Sequence, residues 1–394
     1  MTRRRLLAFG VITAVLLVAA SCSDESQDAS SNPEGSTTTV AEPIDLDAYR
    51  WDLVADGAPW GGRAGLRVVE LDGDLLVLGG RTPRDSPIPG DSDLWGDVWR
   101  SPDGGASWDR VVETGDAFPA RAYFQAVTLD DAVYVIGGQD FGLPASTFFN
   151  DVWRSSDGEE WEQVTEAAPW TGRAGLMAGV LDGAIYVFGG SRNDDSAVVG
   201  PTGPQREYFN DVWRSTDGAE WEEVSGAAPW APRAGGAVVV KDDELFLLGG
   251  EAGFVCTPLP DCEPPYFNDV WSTTDGATWE EVTSAAPWSP RPGHQCELLS
   301  PTIVCFGGFG QLGNPVDMWA TEDGASWREM DQSPWNATGS DEVRYDFDSV
   351  TYEGPTGGPT IITVGGDRET FDFTDPLNYT RVDDDVWSFG PPAG

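Results

Sequence analysis

Residues 207–221 read EYFNDVWRSTDGAEW, and near copies of this stretch recur along the chain. The Tyr-Phe-Asn-Asp-Val-Trp segment is typical of a β-strand, the Ser-Thr-Asp-Gly segment of a turn, and the final tryptophan of a following strand. Recurrence of one strand-turn-strand stretch predicts a repeat architecture rather than two or three unrelated domains. The Asp-Val-Trp core or a variant of it occurs six times, starting at Asp97, Asp151, Asp211, Asp269, Asp317 and Asp385.

A pair of glycines precedes each of these segments. Upstream of each pair, two apolar stretches flank a hairpin turn, as in Leu176 to Leu181 and Ala184 to Phe188. Four strands per unit match the count of one propeller blade. The sequence therefore predicts an all-β fold over residues 49–390, a six-bladed β-propeller of four-stranded antiparallel blades. The pairs are 52 to 60 residues apart, at Gly79-Gly80, Gly137-Gly138, Gly189-Gly190, Gly249-Gly250, Gly307-Gly308 and Gly365-Gly366.

The sixth unit ends at Phe389, before its fourth strand. A matching strand lies at the other end of the domain, where Trp51 precedes Trp60 with the same spacing by which Trp221 precedes Trp230. We expect this N-terminal strand to complete the last blade as its outermost strand, which closes the ring and leaves only short edges.

The repeats resemble those of the kelch propellers from about Arg50 to Phe389. The resemblance rests on the Gly-Gly pair after strand two, the aromatic-Asn-Asp-Val-Trp segment of strand three, and the Pro-Arg pair that enters strand one, as at Pro232-Arg233. The next turn, fullest in Ser101 to Trp108, resembles the Asp-box of sialidases and related propellers. In those families an aspartate caps backbone N–H groups of the turn, so this resemblance implies a structural turn and not sialidase activity.

The charge and the scarcity of histidine exclude several functions. The 394 residues carry a formal net charge of −43, which disfavours nucleic-acid partners because these are bound through Lys and Arg. The single histidine, His294, excludes multi-histidine metal sites and a histidine pair for acid–base catalysis. It also contradicts copper-radical oxidase activity, which is known in propellers of this architecture. We expect no cofactor and no metal centre.

The N-terminus indicates export. Arg3 to Arg5 precede an apolar run from Leu6 to Ala20, which is typical of a signal peptide and too short for a membrane-spanning helix. The small residues before Cys22 resemble a bacterial lipoprotein signal, which implies lipidation of Cys22; ordinary secretion is the alternative. We predict a signal peptide over residues 1–21, a flexible polar linker over 22–48, and an extracytoplasmic protein anchored in a bacterial cell envelope by its lipid.

The remaining cysteines form an even set, which suits an oxidising compartment. Cys296 and Cys305 are equidistant from the Ser300-Pro301 turn of the fifth unit and are expected to face each other across its hairpin. Cys256 and Cys262 lie in one proline-rich loop, which their disulfide would stiffen.

An arginine begins strand one in every unit. Strand one is innermost in a propeller, so we expect these side chains around the mouth of the channel, where guanidinium groups would bind a sugar carboxylate. In the structural alternative, the six aspartates of Asp-Val-Trp pair with the arginines between blades. The candidates are Arg63, Arg121, Arg173, Arg233, Arg291 and Arg344.

Trp170, Trp230 and Trp288 are the second group of candidates, because they lie in the connections between blades. They would stack on sugars if exposed, whereas packing between blades is the structural alternative. The longest loops are expected on the same face, which we predict to be the binding face. These loops comprise residues 81–94, 191–207, 251–265 and 367–384.

The sequence shows a complete scaffold without a visible catalytic constellation, which favours a non-enzymatic module that binds a protein or a glycan. The alternative is an enzyme that acts on acidic sugars, because the repeat number and the export signal resemble those of kelch-type sialic-acid mutarotases of bacteria. Arginine and Asp or Glu would then be the working residues. An arginine beside a carboxylate of another repeat would favour the enzyme.

Overall fold

The computed structural model describes residues 44–392 apart from 87–90, 143–145, 194–205, 254–264, 311–312, 337–338, 340–341, 354–357, 371–374 and 376. This part of the chain consists of β-strands and short 3-10 helices at Leu46–Ala48, Pro334–Asn336 and Asn378–Thr380. None of its helices is long and apolar enough to cross a membrane. Cys22, Cys256, Cys262, the predicted signal peptide and most of the predicted linker lie outside the described residues.

Six four-stranded antiparallel sheets make up the fold, one for each sequence repeat. Blade I holds β2 (Arg67–Leu71), β3 (Asp74–Pro83), β4 (Ser92–Ser101) and β5 (Asp109–Val112). Blade II holds β6 (Gln125–Leu129), β7 (Ala132–Ile136), β8 (Val152–Ser155) and β9 (Glu162–Thr165). Blade III holds β10 (Met177–Leu181), β11 (Ala184–Phe188), β14 (Val212–Ser215) and β15 (Glu222–Ser225). Between β11 and β14 the chain forms a separate two-stranded ribbon of β12 (Ser191–Arg192) and β13 (Glu207–Tyr208).

The other three blades repeat the pattern. Blade IV holds β16 (Ala237–Lys241), β17 (Glu244–Glu251), β18 (Tyr266–Thr273) and β19 (Glu280–Thr283). Blade V holds β20 (His294–Leu299), β21 (Thr302–Gly307), β22 (Met318–Thr321) and β23 (Arg328–Glu329). Blade VI holds β24 (Asp348–Glu353), β25 (Pro359–Val364), β26 (Val386–Gly390) and the N-terminal strand β1 (Arg50–Ala55).

The N-terminal strand closes the ring as the sequence predicts. β1 pairs antiparallel with β26, and Trp51 lies opposite Phe389. Trp51 is buried and its indole N–H donates to the sulfur of Met318 at 3.1 Å. The innermost strands also contact one another in order around the ring, and β24 contacts β2. This confirms the six-bladed propeller.

The hydrophobic core lies between neighbouring blades. Val69 and Leu78 of blade I pack with Val133 and Val135 of blade II, and each further interface has a cluster of the same kind. The innermost strands are therefore apolar at the positions that face the next blade. Packing begins before residue 49, because Leu46 is buried in the cluster that joins blades V and VI.

The turn between strands three and four explains the Asp-box pattern. Asp217 accepts hydrogen bonds from the backbone N–H groups of Ala219 and Glu220, both at 2.9 Å, and the hydroxyl of Ser215 accepts from Gly218. These bonds lower the pKa of Asp217. The pattern is thus a side-chain-capped turn on the outside of blades I to V.

The hairpin of blade V contains the predicted disulfide. Cys296 pairs directly with Cys305 in the register of β20 and β21, and their sulfur atoms are 2.05 Å apart. This confirms the disulfide predicted from the sequence, because opposed residues of an antiparallel pair are close enough for a bridge.

Candidate ligand site at the mouth of the central channel

The six predicted arginines are buried inside their own repeats. Each forms an ion pair with the aspartate of its own Asp-Val-Trp segment, with nitrogen–oxygen distances of 2.5 to 2.8 Å. The pairs form within a blade, and not between blades as the structural alternative had it. The pairs are Arg63–Asp97, Arg121–Asp151, Arg173–Asp211, Arg233–Asp269, Arg291–Asp317 and Arg344–Asp385.

Further hydrogen bonds connect each of these ion pairs to other groups of its own blade, and we call this arrangement the arginine latch. In blade II, Arg121 also donates to the carbonyl of Gly137 at 2.9 Å, and Asp151 accepts from the indole N–H of Trp153 at 2.8 Å. The same contacts recur in the other blades, apart from the glycine contact in blade VI. Paired and hydrogen-bonded burial is how a folded chain accommodates such charges.

The tryptophan candidates are also covered. Trp170, Trp230 and Trp288 are only 1 to 3% exposed. Their rings meet Trp221, Trp279 and Trp327 edge to face, with centroids 4.6, 5.7 and 5.9 Å apart. The structure therefore places them between blades and brings none of the three to the surface.

Six equivalent positions that do not repeat in chemistry surround the channel mouth. They are the residues directly after the Gly-Gly pairs, and each bonds through its backbone to the start of strand one of its own blade. A scaffold role would favour one residue type in all blades, as it does for the arginine latch. The six residues are Arg81, Gln139, Ser191, Glu251, Phe309 and Asp367.

A closed ring of six backbone hydrogen bonds lies next to these positions, formed by the residues two places after each arginine. Each N–H donates to the carbonyl of the preceding blade's residue, at 2.8 to 3.1 Å, and the N–H of Gly65 donates to Asp346 to complete the circle. All six residues have φ between 52° and 64°, a conformation that suits glycine. The ring members are Gly65, Tyr123, Gly175, Gly235, Gly293 and Asp346.

Tyr123 and Asp346 are the two ring members that are not glycine, and both adopt the left-handed conformation at a cost of order 1 kcal/mol or more. The tyrosine ring lies over Gly65, where a Cβ would approach it to 3.0 Å, and Asp346 Oδ1 would be 2.6 Å from a Cβ on Gly293. Both side chains therefore lean over neighbouring glycines at the channel mouth.

Arg81 of blade I connects Tyr123 of blade II to Asp367 of blade VI. Its Nε donates to the hydroxyl of Tyr123 at 2.9 Å, and its Nη2 donates to Asp367 at 3.2 Å. The guanidinium carbon lies 5.7 and 5.4 Å from the ring centroids of Tyr123 and Phe141. Asp367 in turn accepts from the backbone N–H of Glu369 at 2.7 Å. An arginine thus lies beside a carboxylate of another repeat, the arrangement that favours the enzyme alternative.

The carboxyl groups of this cluster titrate unusually high. Burial raises the pKa of Asp367 to about 6 and that of Glu369 to about 7, where the charge of Asp367 adds to the effect. Burial also raises the pKa of Asp346, although Arg81 and a hydrogen bond with Tyr123 oppose it. Groups that titrate near neutral pH are able to exchange protons with a ligand.

Apart from Asp367, these groups line a cavity of about 920 Å³ that takes in the innermost strands of all six blades. Its lining includes Arg81, Tyr123, Gln139, Asp346 and Glu369 but none of the buried arginines Arg63, Arg121, Arg173, Arg233 and Arg291. Arg344 lines a separate acidic pocket of about 460 Å³ beside Asp383. The cavity, rather than the arginine latch, is the place where a small ligand would fit.

A second inward arginine lies deeper in the channel. Arg67 donates to Asp348 of blade VI at 2.9 Å and to the carbonyl of Phe124 at 2.7 Å. On blade V, Glu297 accepts from the hydroxyls of Ser349 and Thr351 of blade VI, and burial raises its pKa to about 7. In the part of the chain that the structure describes, no cluster of His, Cys, Asp and Glu has the arrangement of a metal site.

The site residues Arg81, Tyr123, Asp346, Asp367 and Glu369 were missed by the sequence argument, which followed residues that repeat. The opposite signal would have found most of them. When the six copies are aligned, the column after Gly-Gly holds six different residues, and the column two places after the arginine holds glycine in all blades but II and VI. Exceptions in an otherwise repeated column mark this site.

A closed ring of six such blades, with these repeats, defines a kelch-type propeller. The profile of the "KLHDC2/KLHL20/DRC7 Kelch-repeats domain" matches residues 65–308, and the chain belongs to the kelch-repeat family. The solved structure described as "Structure of YjhT" is similar with a TM-score of 0.56 and 17% identity, over 80% of this chain and 93% of that one. This similarity supports the fold.

Two kinds of relative are similar in sequence. The N-acetylneuraminate epimerase of Escherichia coli O9:H4 (strain HS) is 29% identical over 225 residues, which cover 50% of this chain and 59% of that protein. Kelch-like protein 33 of Homo sapiens is 30% identical over 199 residues, which cover 47% of this chain and 33% of that protein. The matches thus span only part of each relative.

Proposed function

We propose that this chain is an exported, lipid-anchored kelch propeller that acts as a binding module and takes a glycan at the mouth of its central channel, on the long-loop face. The observation that carries the proposal is the placement of Tyr123 and Asp346. They stand at positions where the other four blades have glycine, and both side chains line the cavity. Strain that the scaffold does not need is commonly kept for function.

The dimensions and chemistry of the cavity favour a glycan over a protein partner. A volume of about 920 Å³ is in the range of small-molecule sites. Tyr123, Phe141 and Tyr379 provide aromatic faces, while Gln139 and Glu369 provide hydrogen-bonding groups for hydroxyls. The long loops 81–94 and 367–384, which approach this rim, supply part of the lining.

A glycan array with the mature chain tests this function. We expect binding to a restricted set of glycans that is lost in Tyr123→Gly, because glycine occupies this position in four blades and retains the backbone ring. Arg110→Ala is the matched control, since Arg110 is exposed on the outer strand of blade I and pairs with Glu113. An array without signal for the wild-type chain would contradict glycan binding.

The second candidate is an enzyme that acts on acidic sugars. It is supported by the pair of Arg81 with Asp367 from another blade, by the pKa of Glu369, which burial raises to about 7, and by the partial similarity to N-acetylneuraminate epimerases. Opening and closing a sugar ring at its anomeric carbon requires one group to donate a proton and another to accept one. Glu369, which lines the cavity, would exchange one of these protons.

Mutarotation of N-acetylneuraminate, followed by NMR exchange between its anomers, tests the second candidate. An enzyme would accelerate the exchange, and Glu369→Gln would remove the acceleration while it retains the shape of the side chain. Acceleration that persists in Glu369→Gln would assign the activity to other residues.

The anchor is proposed on the sequence around Cys22. The disulfide of Cys296 and Cys305 supports an oxidising compartment. Labelling with a fatty acid and membrane fractionation test the proposal: wild-type protein should carry label and sediment with membranes, and Cys22→Ala should do neither. Unlabelled wild-type protein in the culture medium would indicate ordinary secretion.

A further inference from the structure

The charges that line the cavity are unevenly compensated. Arg67 is paired with Asp348, and Arg81 is paired with Asp367. The third lining arginine, Arg206, lies on the exposed rim and has a partner of its own. The inward arginines are therefore already engaged by the carboxylates of the protein itself.

Arg81 is held especially firmly. Two of its nitrogens donate to Tyr123 and Asp367, and the rings of Tyr123 and Phe141 lie within 5.7 Å of its guanidinium carbon. An incoming carboxylate would have to displace Asp367 from a buried pair, which leaves that aspartate uncompensated. This cost counts against an anionic ligand, and therefore against the second candidate function.

Two carboxyl groups at the mouth form no ion pair with the residues that the structure describes, although the charge of Arg81 acts on both and that of Arg67 on Asp346. Among the described residues, neither Asp346 nor Glu369 forms an ion pair with an arginine or a lysine. The raised pKa of each agrees with this, because burial is its main cause in both. A positively charged group would find two acceptors there.

An independent polar group points to the same cavity. Gln139 is only 6% exposed, lines the cavity, and its Oε1 has no hydrogen-bond partner among the described residues. A buried amide oxygen without a partner destabilises the fold, so we expect it to accept a hydrogen bond from a ligand or from solvent.

We propose that the ligand of this site is an amino sugar with a free ammonium group, held by Asp346 and Glu369 with Gln139 as a further acceptor. An ammonium group has three N–H donors and no acceptor, which matches these oxygens. The aromatic rings of Tyr123 and Tyr379 border the same space and favour a cation or the apolar face of a sugar ring. The inference rests on the proposed glycan-binding function and specifies its ligand class.

Titration calorimetry of the mature chain with three sugars at pH 7 and low salt tests the inference. D-Glucosamine, N-acetyl-D-glucosamine and D-glucuronate share a ring but carry a positive, a neutral and a negative group. We expect glucosamine to bind at least about tenfold more tightly than the N-acetyl sugar, the ratio expected for one charge-assisted hydrogen bond. Added salt should reduce that ratio.

Variants assign the effect to the two carboxyl groups. Glu369→Gln and Asp346→Asn should each reduce the affinity for glucosamine about tenfold and leave that for the N-acetyl sugar unchanged. The control is Glu113→Gln, because Glu113 pairs with Arg110 on the outer strand of blade I. Circular dichroism of each variant verifies that it is folded.

The outcomes separate the two proposals. Equal binding of the neutral sugar, or tighter binding of glucuronate, would overturn the ammonium inference and leave glycan binding intact. Glucosamine affinity that is unchanged in both variants would also overturn it. Absence of binding for all three sugars, together with a blank glycan array, would overturn both the inference and the proposed function.

Discussion

Tyr123 in blade II and Asp346 in blade VI occupy the same position of the repeat, with φ values of 55° and 52°, where the other four blades have glycine. Blade I separates them, and a hydrogen bond joins their side chains. This bond lowers the pKa of Asp346, whereas burial raises it by more. The two departures from the repeat are therefore a single feature of the molecule, because each supports the other.

Asp346→Gly should stabilise the fold while it abolishes ligand binding. Glycine removes the left-handed strain and a buried carboxyl group, so we expect the free energy of unfolding to rise by about 1 kcal/mol at pH 8. Chemical denaturation measures this. The control is Gly175→Ala, which should cost about 1 kcal/mol because Gly175 has a φ of 58°. A destabilised Asp346→Gly protein would indicate that Asp346 belongs to the scaffold.

Trp51→Ala should destabilise the ring by about 3–5 kcal/mol, because a large buried side chain of the closing strand is lost. Its neighbour Leu53 is 47% exposed, and Leu53→Ala should change stability by less than about 0.5 kcal/mol. Deletion of residues 46–55 should prevent cooperative unfolding altogether. If the deleted protein melted at the wild-type temperature, the ring would not depend on this strand.

Arg121→Ala should cost about 3–5 kcal/mol, because it leaves Asp151 buried without its partner. The double variant Arg121→Met with Asp151→Leu should recover part of the loss, since no charge is then left unpaired. Thermal unfolding measures both. The double variant should also bind the ligand as the wild type does; loss of binding in a folded double variant would assign the arginines to the ligand site.

His294→Phe should reduce the sensitivity of the fold to acid. Burial, together with the charge of Arg291, lowers the pKa of His294 to about 3, whereas an unfolded histidine has a pKa of about 6.5. Above pH 6.5 the imidazole is neutral in both states and contributes no pH dependence. As the pH falls below 6.5, the unfolded state takes up the proton first, which costs about 2 kcal/mol of stability at pH 5.

Phenylalanine is the natural replacement, because Phe124 holds the equivalent position in blade II. Denaturant unfolding of the wild type and of His294→Phe between pH 7 and pH 4 gives the difference. The two free energies should run parallel above pH 6.5 and diverge below it in favour of the variant. Parallel curves over the whole range would show that His294 becomes protonated in the folded state.

The repeats made the fold predictable. Positions such as Asp211 and Trp213 recur in every unit, so their number predicted six blades. The spacing of Trp51 from Trp60 predicted that the N-terminal strand completes the sixth blade. The site was not predictable in the same way. Arg81 and Asp367 are far apart in sequence, and they meet only because blades I and VI are neighbours in the closed ring.

The six repeated arginines also show what the sequence could not predict. Their recurrence indicated an important role, but recurrence does not distinguish a latch from a ligand site. Only the distances within each blade, as between Arg63 and Asp97, establish the partner. Lipidation of Cys22 and the Cys256–Cys262 bridge remain predictions from sequence.

The backbone ring also separates two tasks that most binding sites combine. Its six N–H groups and six carbonyls are used in bonding the blades to one another, so the ring can be kept while the side chains above it change. Gly175 and Gly235 leave the space for a side chain open on the same rim as Tyr123 and Asp346, whereas Asp346 already covers Gly293. A library of Asn, Asp and aromatic residues at Gly175 and Gly235 would vary the recognition surface one blade at a time, which makes this propeller a scaffold for engineering new specificities.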